Sequence, residues 1–141
     1  MEQACQQTVG RRVSISGIAL HTGIRAHLAL APAPPGSGVI FCRTDLPGAP
    51  EVRAVAGQVV DVRRGTTIAA GAARVHTVEH VMAALHAAQV DNVVVEMDGM
   101  EPPILDGSAA PYAELIAAAG VVVQGLPAPV WRATAPIVIE E

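Results

Sequence analysis

From residue 11 the chain alternates. In RRVSISGIAL (residues 11–20), Val13, Ile15 and, past Gly17, Ile18 are spaced by small polar residues, the period-two pattern of a half-buried strand. HTG (21–23) reads as a turn, and RAHLALAP (25–32) returns as the second strand of a hairpin. A Pro/Gly loop, APAPPGSG (31–38), leads to a short strand, VIFCRT (39–44), and residues 45–58 pass from loop to weak strand. VVDVRRGTTIAAGAARVH (59–76) predicts two short strands around a turn at Gly71. The period then changes. Apolar residues at 78, 81, 82, 85 and 88 share one face of an amphipathic helix over about 77–89. NVVVEM (92–97) predicts a strand and DGMEPPILDGS (98–108) a long loop. A second helix over about 109–119 takes Ser108 as N-cap, tolerates Pro111 in its first turn and stops at Gly120. VVVQ (121–124) can add a strand. LPAP (126–129) has linker character, and PVWRATAPIVIEE (129–141) is strand-like with nothing here to pair with.

These elements predict an α+β fold: a two-layer sandwich with a mostly antiparallel sheet, two helices on one face and a small accessory sheet from residues 39–70. Residues 1–125 would form one domain. Residues 126–141 would form a linker and the first strand of a second domain that this sequence does not contain.

Composition narrows the function classes. The chain has 141 residues, enough for a core without disulfides, and 51% are apolar with one Trp, one Tyr and one Phe. Ala, Val, Leu and Ile must therefore fill the interior. A net charge of −4, with the arginines scattered, argues against a nucleic-acid surface. The longest apolar run, LIAAAGVVV (115–123), is far short of the ~18–20 residues of a transmembrane segment. Cys5 and Cys42 have no CxxC spacing, and the N-terminal residues have no signal-peptide core. The expectation is a soluble protein of the reducing cytoplasm.

RVHTVEHVMAALHAAQVDN (74–92) carries the candidate chemistry. At about 100° per residue, with Val78 at 0°, the apolar positions centre near 340°. His76 and His80 then fall at about 160° and 200°, opposite that arc, with Glu79 at about 100°. The letters spell H-x-x-E-H, in which both histidines would bind zinc and Glu79 would deprotonate water, as in a metallopeptidase. A solvated helix face with two ordinary histidines is the plainer alternative. A peptidase needs a third ligand, and none of the downstream glutamates, Glu96, Glu101, Glu114, Glu140 and Glu141, has an evident helical ligand position.

The longer stretch TVEHVMAALHAAQVDNVVVEMDGMEPPILDGSAAPYAELI (77–116), with SGIALHTG (16–23) and LAPAPPGSGVIFCRTDL (30–46), resembles a bacterial enzyme family in order and spacing. The family is that of the zinc-dependent UDP-3-O-acyl-N-acetylglucosamine deacetylases of lipid A biosynthesis, the LpxC family, and the resemblance covers about residues 7–141. It implies that Glu79 is the general base and that His80 alone of the two histidines binds Zn2+. The position of His76 is typically a small polar helix N-cap. The resemblance further implies that the remaining ligands, a His and an Asp four residues apart, and a histidine general acid come from a second deacetylase domain of similar fold. The strand at 130–139 falls where that domain would begin. The substrate would be UDP-3-O-acyl-N-acetylglucosamine, cleaved to release acetate.

Two further positions follow from the resemblance. His21 lies in a turn near the family's active site and could reach a nucleotide phosphate; the alternative is a hairpin turn held by Gly17 and Gly23. Asp61 and Thr66 flank an active-site segment that here reads VRRGT, more basic and smaller than the family's usual apolar run. Asp106-Gly107-Ser108 reads as a loop capping the second helix rather than a nucleophile motif, and His27 and His86 as surface residues. A metallopeptidase-like H-x-x-E-H site and a non-catalytic half-domain are the alternatives to a deacetylase.

Overall fold

The computed structural model describes residues 4–139. In chain order its elements are β1 (Cys5–Val9), β2 (Val13–Ile18), β3 (Arg25–Pro32), β4 (Val39–Arg43) and β5 (Glu51–Arg53). A 3₁₀ turn (Ala56–Gln58), β6 (Val59–Asp61), β7 (Thr67–Ala70) and β8 (Ala73–Val75) follow. The chain then forms α1 (Glu79–Ala87), β9 (Val93–Met97), α2 (Ala110–Ala119) and β10 (Val121–Pro127).

The main sheet has the order β2-β3-β9-β4-β5. Its pairs are antiparallel except β4 with β9, which run parallel from Val39↔Val93 to Arg43↔Met97. The hairpin read from the alternating pattern forms, in register from Val13↔Leu30 to Ile18↔Arg25. Its core-facing side chains Leu28 and Leu30, with Phe41, Val52, Val93 and Val95, are fully buried. Each full burial of that kind contributes about 1.5–3 kcal/mol. Both helices close this core: α1 buries Val81, Ala84 and Leu85, and α2 buries Tyr112, Ile116 and Ala119. The apolar arc foreseen on α1 is the face it buries, with Met82 and Ala88 packed at its margin. Small alanines on both helices let them pack against one another.

Several boundaries differ from the sequence-based expectation. The accessory sheet is β6-β7-β8, residues 59–75, whereas β4 and β5 belong to the main sheet because β9 supplies a buried edge beside β4. CQQTV was not foreseen as a strand. It becomes β1 by pairing with β10, from Cys5↔Pro127 to Val9↔Val121. That pairing carries β10 two residues beyond the boundary expected at 125, while residues 128–139 contain no strand. Ala109, not Ser108, occupies the N-cap of α2; Ser108 Oγ still accepts from Ala110 N at 3.1 Å, one step before the helix. Gly120 ends α2 with φ 73°, as its type allows. Among the described residues no helix is long and apolar enough to cross a membrane.

Candidate active site

The site is assembled at the end of the β2–β3 hairpin. Gly17 is required there, since a Cβ would stand 3.0 Å from Pro103 Cβ and from Leu105 Cδ2. The close approach lets the 98–108 loop lie on the hairpin, through an Ala19↔Pro103 bridge and an Ile104 N–H bond to Ile18 O of 2.9 Å. Tyr112 of α2 anchors the same loop by donating its hydroxyl to Pro103 O.

The loop so held delivers Glu101 to the hairpin turn. Its side chain is 1% exposed, yet it is saturated with donors. His21 N (3.0 Å) and Thr22 N (3.1 Å) donate to Oε2; His21 Nδ1 (2.7 Å) and the Thr77 hydroxyl (2.8 Å) bond Oε1. Burial pushes the Glu101 carboxyl up, but the bonds from His21, Thr22 and Thr77 outweigh it and hold the group below its ordinary value. Glu101 is therefore an ionised, buried acceptor.

Thr77 connects this cluster to the helix. Its φ of 55° is a strained conformation for a β-branched residue, held by the bond to Glu101. Because Thr77 is not helical, α1 begins at Glu79 rather than at 77, with Val78 as its N-cap. His76 consequently lies outside the helix. Its N–H bonds Met100 O at 2.7 Å and its Nδ1 pairs with the Thr67 hydroxyl at 2.8 Å. The helical wheel that set His76 beside His80 does not apply, and neither does an N-cap role for His76. The two-histidine helical geometry of H-x-x-E-H is not formed.

Glu79 and His80 open the first turn of α1. Glu79 Oε1 accepts from the backbone N–H of Thr66, so Thr66 meets Glu79 through its main chain rather than its hydroxyl. Glu79 Oε2 is buried with no hydrogen-bond partner, an arrangement that costs about 1–3 kcal/mol unless a bound group completes it. Gly65, at φ 150°, brings the 65–66 backbone against the Glu79 carboxylate. His80 is half-buried, and beyond it the N–H and hydroxyl of Ser108 hold Asp106 below its ordinary value. Those two bonds close Asp106-Gly107-Ser108 into a turn on itself rather than a cap; Ser108 Oγ reaches α2 only by accepting from Ala110 N, and no side chain caps the helix at Ala109.

Residues 65–68, which lead into β7, divide the site in two. Gly65 and Thr67 line a polar cavity of about 240 Å³ with His21, Arg63, His76 and Glu101. Thr66 and Ile68 line an apolar one of about 260 Å³ with Val59, Val78, Glu79 and Met82. Glu79 and Thr66 are thus together, His80 is adjacent in the chain, and His21 stands in the neighbouring cavity, linked to them through Glu101 and Thr77. Asp61 is far below the usual carboxylate range because Arg63 bonds it at 2.8–3.3 Å, so one of the two basic side chains of VRRGT is already paired. His27 and His86 are exposed, as expected.

Glu101 and Thr77 join the candidate site although sequence reasoning gave neither a role there. The one signal was a glutamate followed by two prolines in the middle of the 98–108 loop. Its partner His21 is 80 residues away, outside the range of any local pattern.

Comparison with known proteins adds a second line. A family described as UDP-3-O-acyl N-acetylglycosamine deacetylase, LpxC, matches residues 6–141. The UDP-3-O-acyl-N-acetylglucosamine deacetylase of Myxococcus xanthus is 50% identical over 122 residues, covering 86% of this chain and 39% of the relative. The corresponding protein of Acidithiobacillus ferrooxidans is 42% identical over 136 residues, 96% of this chain and 45% of its own. A bifunctional LpxC/FabZ enzyme of Chlorobaculum tepidum is 48% identical over 86% of this chain and 26% of its own length. The chain spans less than half the length of these curated relatives.

Proposed function

The chain belongs to the UDP-3-O-acyl N-acetylglycosamine deacetylase family, and from that membership we propose that it supplies one half of a zinc-dependent deacetylase site. The reaction is hydrolysis of the N-acetyl group of UDP-3-O-acyl-N-acetylglucosamine, with release of acetate, in lipid A biosynthesis. Glu79 is the general base, His80 is this chain's zinc ligand, and His21 and Thr66 meet the substrate. The observation that carries this reading is the buried, unpartnered Oε2 of Glu79 beside His80 at a helix start.

Among the described residues no three His, Cys, Asp or Glu side chains gather as a metal set. One imidazole with an adjacent carboxylate fits a shared centre, since catalytic zinc commonly takes three protein ligands. His80 contributes one, and a second deacetylase domain entered through residues 126–141 contributes the others. The exposure of Trp131 (95%), Ile137 and Ile139 supports that reading, because such residues ordinarily meet a partner. Bound zinc supplies Lewis-acid chemistry, acidifying water and polarising a carbonyl. This chain then supplies the base. The Thr66 N–H fixes Oε1 of Glu79, leaving Oε2 to take the proton of the attacking water, while the histidine general acid of the second domain protonates the leaving amine. Both cysteines are free, which suits the cytoplasm, where we place the reaction.

The test is zinc content and acetate release in the intact deacetylase carrying this chain. His80→Ala should lose zinc and turnover together. Full zinc occupancy in that variant would remove His80 from the ligand set.

A further inference from the structure

The polar cavity contains a group whose state the backbone dictates. Glu101 Oε2 accepts from two main-chain N–H groups, His21 and Thr22, at 3.0 and 3.1 Å, and these can only donate. Oε1 faces His21 Nδ1 at 2.7 Å and the Thr77 hydroxyl at 2.8 Å, with the His21 N–H shared toward it at a longer 3.2 Å. An ionised carboxylate accepts and cannot donate, so the ring nitrogen opposite it must carry a hydrogen. Nε2 has no hydrogen-bond partner among the described residues, and the ring, 40% exposed, lines the cavity.

We propose that Glu101 is a positioning residue: its buried carboxylate locks His21 with the proton on Nδ1, so that the ring meets ligand and exchanges protons at Nε2 alone. The neutral ring then presents a lone pair to the cavity and the protonated ring an N–H, in either case from Nε2. Glu101 also holds Thr77 in its left-handed conformation two residues before Glu79, so one carboxylate sets both the turn and the entry to α1. The inference rests on the deacetylase reading for its consequence in turnover, but not for its geometry.

Glu101→Gln tests it, because an amide has one acceptor and one donor end. The two backbone N–H groups are fixed donors and will take the amide oxygen. The NH₂ end then faces His21 Nδ1, where it requires a bare nitrogen, and the Thr77 hydroxyl can rotate to accept. The variant should therefore invert the tautomer to Nε2–H. The readout is two-bond ¹H–¹⁵N correlation of the imidazoles in this chain, above the ring's titration as followed in the same spectra. We expect Nδ1–H to dominate in the parent and Nε2–H in Glu101→Gln, a change in tautomer ratio of more than tenfold. In the intact deacetylase the same variant should lower kcat/KM at least tenfold with zinc content unchanged.

Nε2–H as the major form in the parent spectrum overturns the proposal, and that measurement needs no variant to fold. An inverted tautomer with unchanged kcat/KM overturns its bearing on turnover. If Glu79→Gln instead retains activity, the assignment of the base fails, while the tautomer of His21 is still decided by its own spectrum.

Discussion

Replacing Glu79 with Gln separates chemistry from folding at one atom. The parent carboxylate has one oxygen on the Thr66 N–H and the other buried with no partner. Glutamine keeps the first contact by turning its carbonyl oxygen to Thr66, and puts an NH₂ where Oε2 stood. A neutral amide is less costly to bury than a carboxylate, and the orphaned acceptor, worth about 1–3 kcal/mol, disappears. The new NH₂ recovers only part of that, so stability should hold or rise by up to about 1 kcal/mol. For a domain of this size that is a Tm gain of about 3–4 °C at most. The amide has no basicity at neutral pH. Turnover should fall about 10²–10⁴-fold, the usual contribution of a positioned base, or about 2.7–5.4 kcal/mol in the barrier. Acetate release by the intact deacetylase and calorimetric unfolding of this chain read the two effects independently. Unaltered turnover would remove Glu79 from the chemistry. A Tm loss of several degrees would show that the carboxylate holds the fold, and the unpartnered oxygen would lose its meaning.

Three further outcomes follow from the packing and the charges. Tyr112→Phe leaves the buried Pro103 carbonyl without its donor and should cost about 1–3 kcal/mol, seen as a lower midpoint in urea unfolding. Gly10→Ala puts a Cβ 2.9 Å from Ala119 O and 3.2 Å from Val122 Cγ2. The strand-to-helix junction must shift, at about 1–3 kcal/mol, and protection of the β1–β10 amides in hydrogen exchange should drop first. Glu101 has a folded-state pKa below its ordinary value of 4.5, so its contribution is complete above that value and is lost as pH falls through the depressed one. The stability gap between the parent and Glu101→Gln should thus be widest near neutral pH and close on acidification; a gap independent of pH between 7 and about 3 would contradict the ionised state.

The parts of the fold that were legible in the sequence are those whose cause is local. Val13, Ile15 and the alternating β3 report a strand because each side chain meets the core in turn, and Gly71 marks the β7–β8 turn by its φ of 57°. The apolar face of α1 was legible for the same reason. β1 was not, since Cys5, Gln7 and Val9 form no apolar alternation and only the distant β10 makes them a strand. Nor was the start of α1. The sequence 76–80 has helical spacing, but Glu101, 24 residues away, holds Thr77 out of the helix and with it His76. Of the candidate site, Glu79 and His80 were singled out by motif and resemblance, whereas the Thr66 N–H that fixes Glu79 and the Glu101 carboxylate that holds Thr77 ahead of them belong to a backbone and a loop that no short pattern announces.

The parallel pairing of β4 with β9 has a kinetic side. β4 and β9 lie edge to edge in the middle of the main sheet, but the chain between them makes β5, the whole accessory sheet and α1 before it returns. Val39 meets Val93 only after that long loop is closed, and loop closure of this kind is paid in entropy before any contact rewards it. The hairpins β2–β3 and β7–β8 can form early and independently. Glu79 and His80 ride on the returning segment, so they reach their places only when the slowest contact of the domain is made. A refolding experiment should find the β2–β3 amides protected well before those of β9, with those of α1 arriving alongside the latter.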